Sequence, residues 1–143
     1  MKMRQKILIL SAMVIMWLAG GCMVHAQDMR DGQNRQVGKV ESDGTVRNSS
    51  NSQIGRIESD GTIRDASNRY IGKIESNGTV RDASNRQIGR VESDGTVRDA
   101  SNRYIGRVES DGTIRDASNR QIGRAQGISK QKAAVFFFFG LLR

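Results

Sequence analysis

Five glutamates recur at a fixed interval of 17 residues, at Glu41, Glu58, Glu75, Glu92 and Glu109, and each stands two residues before an Asp-Gly or Asn-Gly pair. Paired carboxylates are the equipment of glycoside hydrolysis, in which one acts as acid and the other as base or nucleophile. That chemistry needs two groups whose surroundings drive their pKa values apart. Here every glutamate occupies one repeat column, so none is set apart from the rest. Most aspartates also fall in columns, and the exceptions, Asp28 and Asp31, lie near the start of the mature chain. The sequence therefore assigns no catalytic residue, and the expectation is a protein that is not an enzyme.

The Asp-Gly pairs at Asp43, Asp60, Asp94 and Asp111 raise the question of calcium. An EF-hand loop needs alternating acidic residues closed by a bidentate glutamate, and the calcium-binding β-rolls follow a nonapeptide period. Neither template fits a 17-residue period. Asn77 replaces the aspartate in the third copy, as a turn position permits and an obligatory charged ligand does not. No metal ligand and no cofactor is expected. Asn48 and Asn77 fall in N-x-[ST] patterns, but Asn77 is a turn residue in the same sense, and glycosylation is not assigned.

The remaining reactive types cluster at one end. The chain opens MKMRQK, continues through an apolar run from Ile7 to Gly21, and reaches CMVHAQ. That order of basic, apolar and small residues is a secretory signal peptide. Cleavage after Ala26 fits best and makes Gln27 the first mature residue. The apolar run is shorter than the roughly 20 residues that span a bilayer, so no transmembrane span is expected in the mature chain. An alternative reading is the LAGGC stretch as a lipobox, with Cys22 lipidated and the product anchored at the outer membrane; Ala19 stands where such motifs usually carry Leu. The main expectation is an exported protein, periplasmic or secreted. Cleavage after Ala26 also removes the only cysteine (Cys22), the only histidine (His25) and the only tryptophan (Trp17). A mature chain without them has no disulfide, no thiol nucleophile, no imidazole base and no Cys/His zinc site.

The elements that position these residues are legible as repeats. Residues 37–121 read as five copies of a 17-residue unit, such as IGRIESDGTIRDASNRY at 54–70. Residues 27–36 match the second half of a unit, and 122–126 match the start of another within the C-terminal stretch 122–143. A short, close repeat marks units that cannot bury their apolar faces alone. Each unit holds two turn signals, ESDGT and DASNR, between strands of about five residues. With Ser59, Asp60 and Gly61 as a three-residue loop, Glu58 faces Thr62 and Ile57 faces Ile63; a two-residue Asp-Gly turn would instead set Ile57 against Arg64. The first is preferred because it matches aliphatic with aliphatic. It places Gly55 and Asp65 on the face of Ile57 and Ile63, and Ile54, Arg56, Glu58, Thr62, Arg64 and Ala66 on the other. A hairpin apolar on both faces wants neighbours on both sides, as in a ring, and the glycines at 38, 55, 72, 89 and 106 allow backbones to approach closely.

Two segments depart from the consensus. The C-terminal stretch from Ala133 to Leu142 is dominated by Phe136, Phe137, Phe138 and Phe139, which by propensity reads as a strand buried on both faces. It is expected to fill the centre or close the edge of the assembly, the alternative being membrane or partner contact through exposed aromatics. The Tyr70, Gln87, Tyr104, Gln121 column swaps an aromatic for an amide; it reads as a strand-edge cap, or else as part of a rim for carbohydrate or peptide.

Tandem IGRIESDGTIRDASNRY-type units behind a signal peptide, ended by a Phe-rich segment, resemble the five-fold β-flower proteins, small exported proteins found mainly in Bacteroidales. The resemblance covers nearly all of the mature chain. It implies an all-β fold of five hairpins around a central axis, like a small propeller with two-stranded blades, and implies little about activity. Charge adds a limit. The chain carries 23 Lys and Arg against 15 Asp and Glu, and removing Lys2, Arg4 and Lys6 leaves 20 against 15, a net +5. The signs alternate without a basic block, so the charges read as cross-strand pairs, an anionic partner as the lesser reading, and nucleic acid as excluded. The functional expectation is a non-catalytic binding module of the cell envelope, for a glycan, peptide or protein. The alternative is a structural component that self-associates through its Phe-rich end or its repeat edges.

Overall fold

The computed structural model describes residues 27–142; the expected signal peptide and Cys22 lie outside them. Twelve short antiparallel strands follow one another up and down: β1 Gln27–Asp31, β2 Gln36–Val40, β3 Thr45–Asn48, β4 Gln53–Ile57, β5 Thr62–Asp65 and β6 Tyr70–Ile74. The second half repeats the pattern with β7 Thr79–Asp82, β8 Gln87–Val91, β9 Thr96–Asp99, β10 Tyr104–Val108, β11 Thr113–Asp116 and β12 Gln121–Arg124. They close into one barrel, with β1 bonded to β12. A short helix, α1 Lys130–Ala134, runs into a π-helical turn, Val135–Phe139.

Loop chemistry sets the register at both ends. In the second copy the Glu58 N–H donates to the Thr62 carbonyl (2.8 Å) and the Gly61 N–H to the Glu58 carbonyl (3.0 Å). Ile57 lies opposite Ile63, as the three-residue loop requires. Gly61 has φ +90°, the left-handed conformation that closes this loop. Its carbonyl accepts from the Ile74 N–H (2.9 Å), so each loop is also bonded to the next hairpin. At the opposite end the DASNR loops repeat the geometry with asparagine in the glycine position. The Asp65 N–H donates to the Arg69 carbonyl (2.9 Å), and Asn68 has φ 66°, which its short polar side chain tolerates.

The five complete repeats form five hairpins, and the two chain ends together form a sixth. β12 is the first half of a unit and β1 the second half; Arg30 lies opposite Arg124 and Asp31 opposite Gly123. The fragments flanking the repeats are complementary, and pairing them leaves no free edge. Unlike the separate blades of a propeller, neighbouring hairpins share a continuous ladder, as in Thr62 opposite Lys73 and Ile63 opposite Gly72.

Inside, two layers are stacked along the axis. Val40, Ile57, Ile74, Val91, Val108 and Ala125 from one strand of each hairpin join Met29, Val46, Ile63, Val80, Val97 and Ile114 from the other, none more than 4% exposed. The expectation that Ile54 and its equivalents face away from this core is corrected. Between hairpins the register shifts so that Ile71 is skipped between Ile63 opposite Gly72 and Arg64 opposite Tyr70. Such a bulge breaks the strict alternation of sides, and Val37, Ile54, Ile71, Ile88, Ile105 and Ile122 pack against the same core.

The C-terminal segment fills the barrel, as expected, but the strand expected there is a helix. Every strand is already paired on both sides, so a further strand inside would have no ladder to join and would bury its N–H and C=O groups unbonded. A helix satisfies them internally, and a barrel of this many strands is wide enough to hold one. Ser129 caps its start by accepting from the Lys132 N–H (3.2 Å), and Gly140, with φ 63°, ends it. Ala133, Ala134 and Val135 are completely buried in the core. Beyond them the six large apolar side chains are distributed one to each hairpin, each against that hairpin's strand glycine. Phe136 meets Gly38, Phe137 Gly123, Phe138 Gly106, Phe139 Gly89, Leu141 Gly72 and Leu142 Gly55. Successive plug residues thus step around the ring hairpin by hairpin, and the glycine column gives their side chains room.

Candidate functional site

Every one of the 15 carboxylates has a structural partner. Glu41, Glu58, Glu75, Glu92 and Glu109 pair with the Nε of Arg47, Arg64, Arg81, Arg98 and Arg115, at 2.7 Å, 2.9 Å and 3.1 Å in the first, second and fourth copies. Each arginine also donates from Nη1 to the asparagine carbonyl of the following loop, as Arg64 does to Asn68 (3.3 Å). Half exposed, such pairs contribute about 0.2–1 kcal/mol each.

The aspartates hold the loops. Asp65 Oδ1 accepts from the N–H of Ser67 (2.8 Å) and Arg69 (3.0 Å), and Oδ2 from Arg69 Nε (3.1 Å). The bond from the Arg69 N–H above all holds this carboxyl below its ordinary value of 3.8. Asp31, Asp82, Asp99 and Asp116 are lowered in the same way. At the other end Asp60 Oδ1 accepts from the Thr62 N–H (2.9 Å), which lowers its pKa with a smaller contribution from Lys73. Asn77 does the same with the Thr79 N–H (3.0 Å). The Asp-Gly column is therefore turn chemistry, and Asn77 replaces aspartate without loss of the bond. A general acid needs its pKa raised; these are lowered. Among the described residues no group of three or more His, Cys, Asp or Glu is placed to hold a metal ion. Asp28 accepts from Gln36 Nε2 (3.2 Å) and lies 3.6 Å from Arg30.

What remains for contact with a partner lies on three surfaces. At the ESDG end, clefts open between the loops and the start of α1. One of about 340 Å³ is lined by Glu58, Asp60, Glu75, Ser129, Gln131 and Lys132 among others. Lys130 Nζ reaches the Ser93 carbonyl (3.4 Å) and ties the plug to the fourth copy's loop. At the DASNR end the rings of Phe136 to Phe139 are only partly buried, with Phe136 and Phe137 edge to face at 5.3 Å.

The third surface is the outer wall, where the expected cross-strand pairs form but leave one strand cation of each hairpin over. Two cations of each hairpin face each other across the strands: Lys39 and Arg47, Arg56 and Arg64, Lys73 and Arg81, Arg90 and Arg98, Arg107 and Arg115, with Arg30 opposite Arg124 at the seam. Each glutamate pairs with the second cation of its hairpin. Lys39, Arg56, Lys73, Arg90, Arg107 and Arg124 form no ion pair with a described residue. The signal was present in the count, since each copy spends two strand cations on one glutamate. Tyr70 and Tyr104 stand on the same wall, opposite Arg64 and Arg98, and are 39% and 41% exposed. A lipid-facing barrel would need an apolar band where these charges lie, and no described helix is long and apolar enough to cross a membrane.

No curated protein and no solved structure matches the chain. The sequence model of the 5-fold beta-flower protein family matches residues 26–140. That span takes in the five continuous hairpins, the sixth made from both ends, and the plug through Gly140, and the chain belongs to the 5-fold beta-flower protein family.

Proposed function

We propose that this β-flower protein is a non-catalytic binding module of the bacterial cell envelope, exported by its N-terminal segment. The observation that carries the reading is the engagement of all 15 carboxylates in loop bonds or ion pairs. Reactive groups are spent on holding the ring, and what the ring offers outward is repeated polar surface on a plugged, edge-free scaffold. Display of the chain from Gln27 onward against arrays of envelope glycans and peptides tests this. Saturable capture of one ligand class is the expected result, and absence of capture on every array overturns it. Mass spectrometry of the native N-terminus separates Gln27 from a lipidated Cys22.

Self-association is the second reading, and the partly exposed Phe136 to Phe139 surface favours it. Barrel closure removes the repeat edges as a route, so contact would run end to end through the plug. Sedimentation of the intact chain as a monomer across its soluble range would sink this reading.

A further inference from the structure

In a ring of near-identical units, a site shows where units differ. Four departures gather between β6 and β10, on the wall or at its ESDG rim. Tyr70 opens β6 and Tyr104 opens β10, where the corresponding positions of β2, β4, β8 and β12 carry glutamine. Midway between them on β8 is Arg90, and the β6–β7 loop of the preceding hairpin carries Asn77 where the complete copies otherwise have aspartate. The aspartates of the neighbouring loops feel the equivalent cation: Asp43 feels Arg56, Asp60 Lys73, Asp94 Arg107 and Asp111 Arg124. Arg90 alone among these has a neutral side chain in its place. The fourth departure is Lys130, bonded to the Ser93 carbonyl in the loop after β8.

Arg90 lines an open cleft of about 480 Å³ with Ser76, Asn77, Glu92, Ser93 and Asp94. Glu92 is already bonded to Arg98 (3.1 Å), and Asp94 Oδ1 to the Thr96 N–H (2.9 Å). Arg90 makes no side-chain bond to a described residue and stands directly opposite Arg98. Because Glu92 neutralises Arg98 (3.1 Å), Arg90 is the one of the two facing cations left to take an anion. The guanidinium fork suits carboxylate and sulfate oxygens. The exposed rings of Tyr70 and Tyr104, two hairpins apart around the wall, offer apolar faces of the kind on which sugar rings stack.

We propose that the wall from β6 to β10 binds an acidic polysaccharide, with a carboxylate or sulfate group held at Arg90 and sugar rings seated on Tyr70 and Tyr104. This rests on the binding-module reading and gives it a ligand class and a location. The combination of aromatic faces with one cation outside the ion pairs between them favours an anionic sugar chain over nucleic acid, which a uniform basic surface would serve as well.

The test is calorimetric titration of the chain from Gln27 onward with oligogalacturonate and with sulfated dextran oligomers, neutral dextran serving as control. Lys39 on β2 lies diametrically across the ring from Arg90, so Lys39→Gln is the control for general charge loss. Arg90→Gln should weaken binding of one acidic oligomer at least tenfold, and Lys39→Gln less than twofold. Tyr70→Ala with Tyr104→Ala should weaken it with an unchanged salt slope, since no phosphate-like contact is lost. Arg90→Gln should leave the unfolding temperature unchanged, because Arg90 makes no ion pair or side-chain bond with a described residue. Equal weakening by Arg90→Gln and Lys39→Gln, or equal binding of single-stranded DNA unaffected by the tyrosine changes, would overturn the proposal in favour of nonspecific polyanion attraction. Failure of both oligomers to bind at low salt would also overturn it, yet capture of a neutral glycan or peptide would leave the module reading intact.

Discussion

A methyl group on Gly89 would lie 2.6 Å from the Arg98 carbonyl oxygen and no farther than that from the ring of Phe139. Alanine lowers the entropy of the unfolded chain, a gain of about 0.4–1 kcal/mol. The carbonyl belongs to a paired strand and cannot rotate away, so overpacking at about 1–3 kcal/mol wins. Gly89→Ala is expected to lower the urea midpoint with the m-value unchanged. The asparagine loops give a contrasting case. Asn85 holds φ 65°; Asn85→Gly should change stability by a few tenths of a kcal/mol, and Asn85→Ala should cost about 1 kcal/mol. The loop aspartates predict an acid limb. Their folded pKa values lie below the unfolded 3.8, so the unfolded chain binds protons first as pH falls. Their stabilisation is complete well above 3.8, and is lost as pH drops through that value and then through the folded values. The urea midpoint should therefore be level near neutrality and decline below about pH 4. The first copy shows how to remove part of this dependence. Asn48 there accepts from the N–H of Ser50 and Ser52, both at 3.0 Å, so Asp65→Asn should keep its loop and shallow the acid limb.

At the scale of elements, the hairpins were legible because their loops leave little choice: Asp-Gly with matched aliphatics on either side admits one register that pairs Ile57 with Ile63. The plug was not. A run of four phenylalanines has strand propensity, and periodicity does not separate a short buried strand from a buried helix. What decides is the surrounding barrel, whose closure leaves no backbone partner inside. A signal for this existed in numbers: six strand glycines, at 38, 55, 72, 89, 106 and 123, match the six large apolar residues from Phe136 to Leu142. The unpaired cations of the wall were hidden for a related reason, since Arg56 beside Glu58 on its strand and Arg64 diagonally across the hairpin both compete for it, and only the fold gives the glutamate to Arg64. The plug supplies Ala133, Ala134, Val135 and Leu142 to the core, and without it the twelve inward aliphatics enclose nothing. Deleting residues 129–143 should abolish the cooperative urea transition and expose dye-binding apolar surface, as expected when packing is lost around retained strands. A synthetic peptide of those residues, added in trans, should restore the transition; a truncated chain as stable as the parent would show that the barrel stands by itself.

At the scale of the whole molecule, ring size and plug length are coupled. A solenoid of repeats tolerates loss of a unit because each unit touches only its neighbours. Here each hairpin also touches one plug residue of its own, from Phe136 on Gly38 round to Leu142 on Gly55. The ring closes through β1 and β12, which are separate halves of one hairpin, so any number of complete repeats leaves ends that can pair. The strand ladder by itself would thus permit a smaller ring, and the plug opposes it. Removing the third copy, residues 71–87, leaves the loops of the other copies and every seam contact intact but takes away Gly72, the seat of Leu141, and narrows the space around Ala133 to Val135. The expected product is far less stable than the parent, or fails to fold. Shortening the plug by removing Leu141 and Leu142 together in the same variant should recover part of the loss, because the displaced side chains are then absent. If the variant lacking 71–87 unfolded at the parent's urea midpoint with its plug intact, ring size would be set by the strands, and the match of six side chains to six glycines would have no part in it.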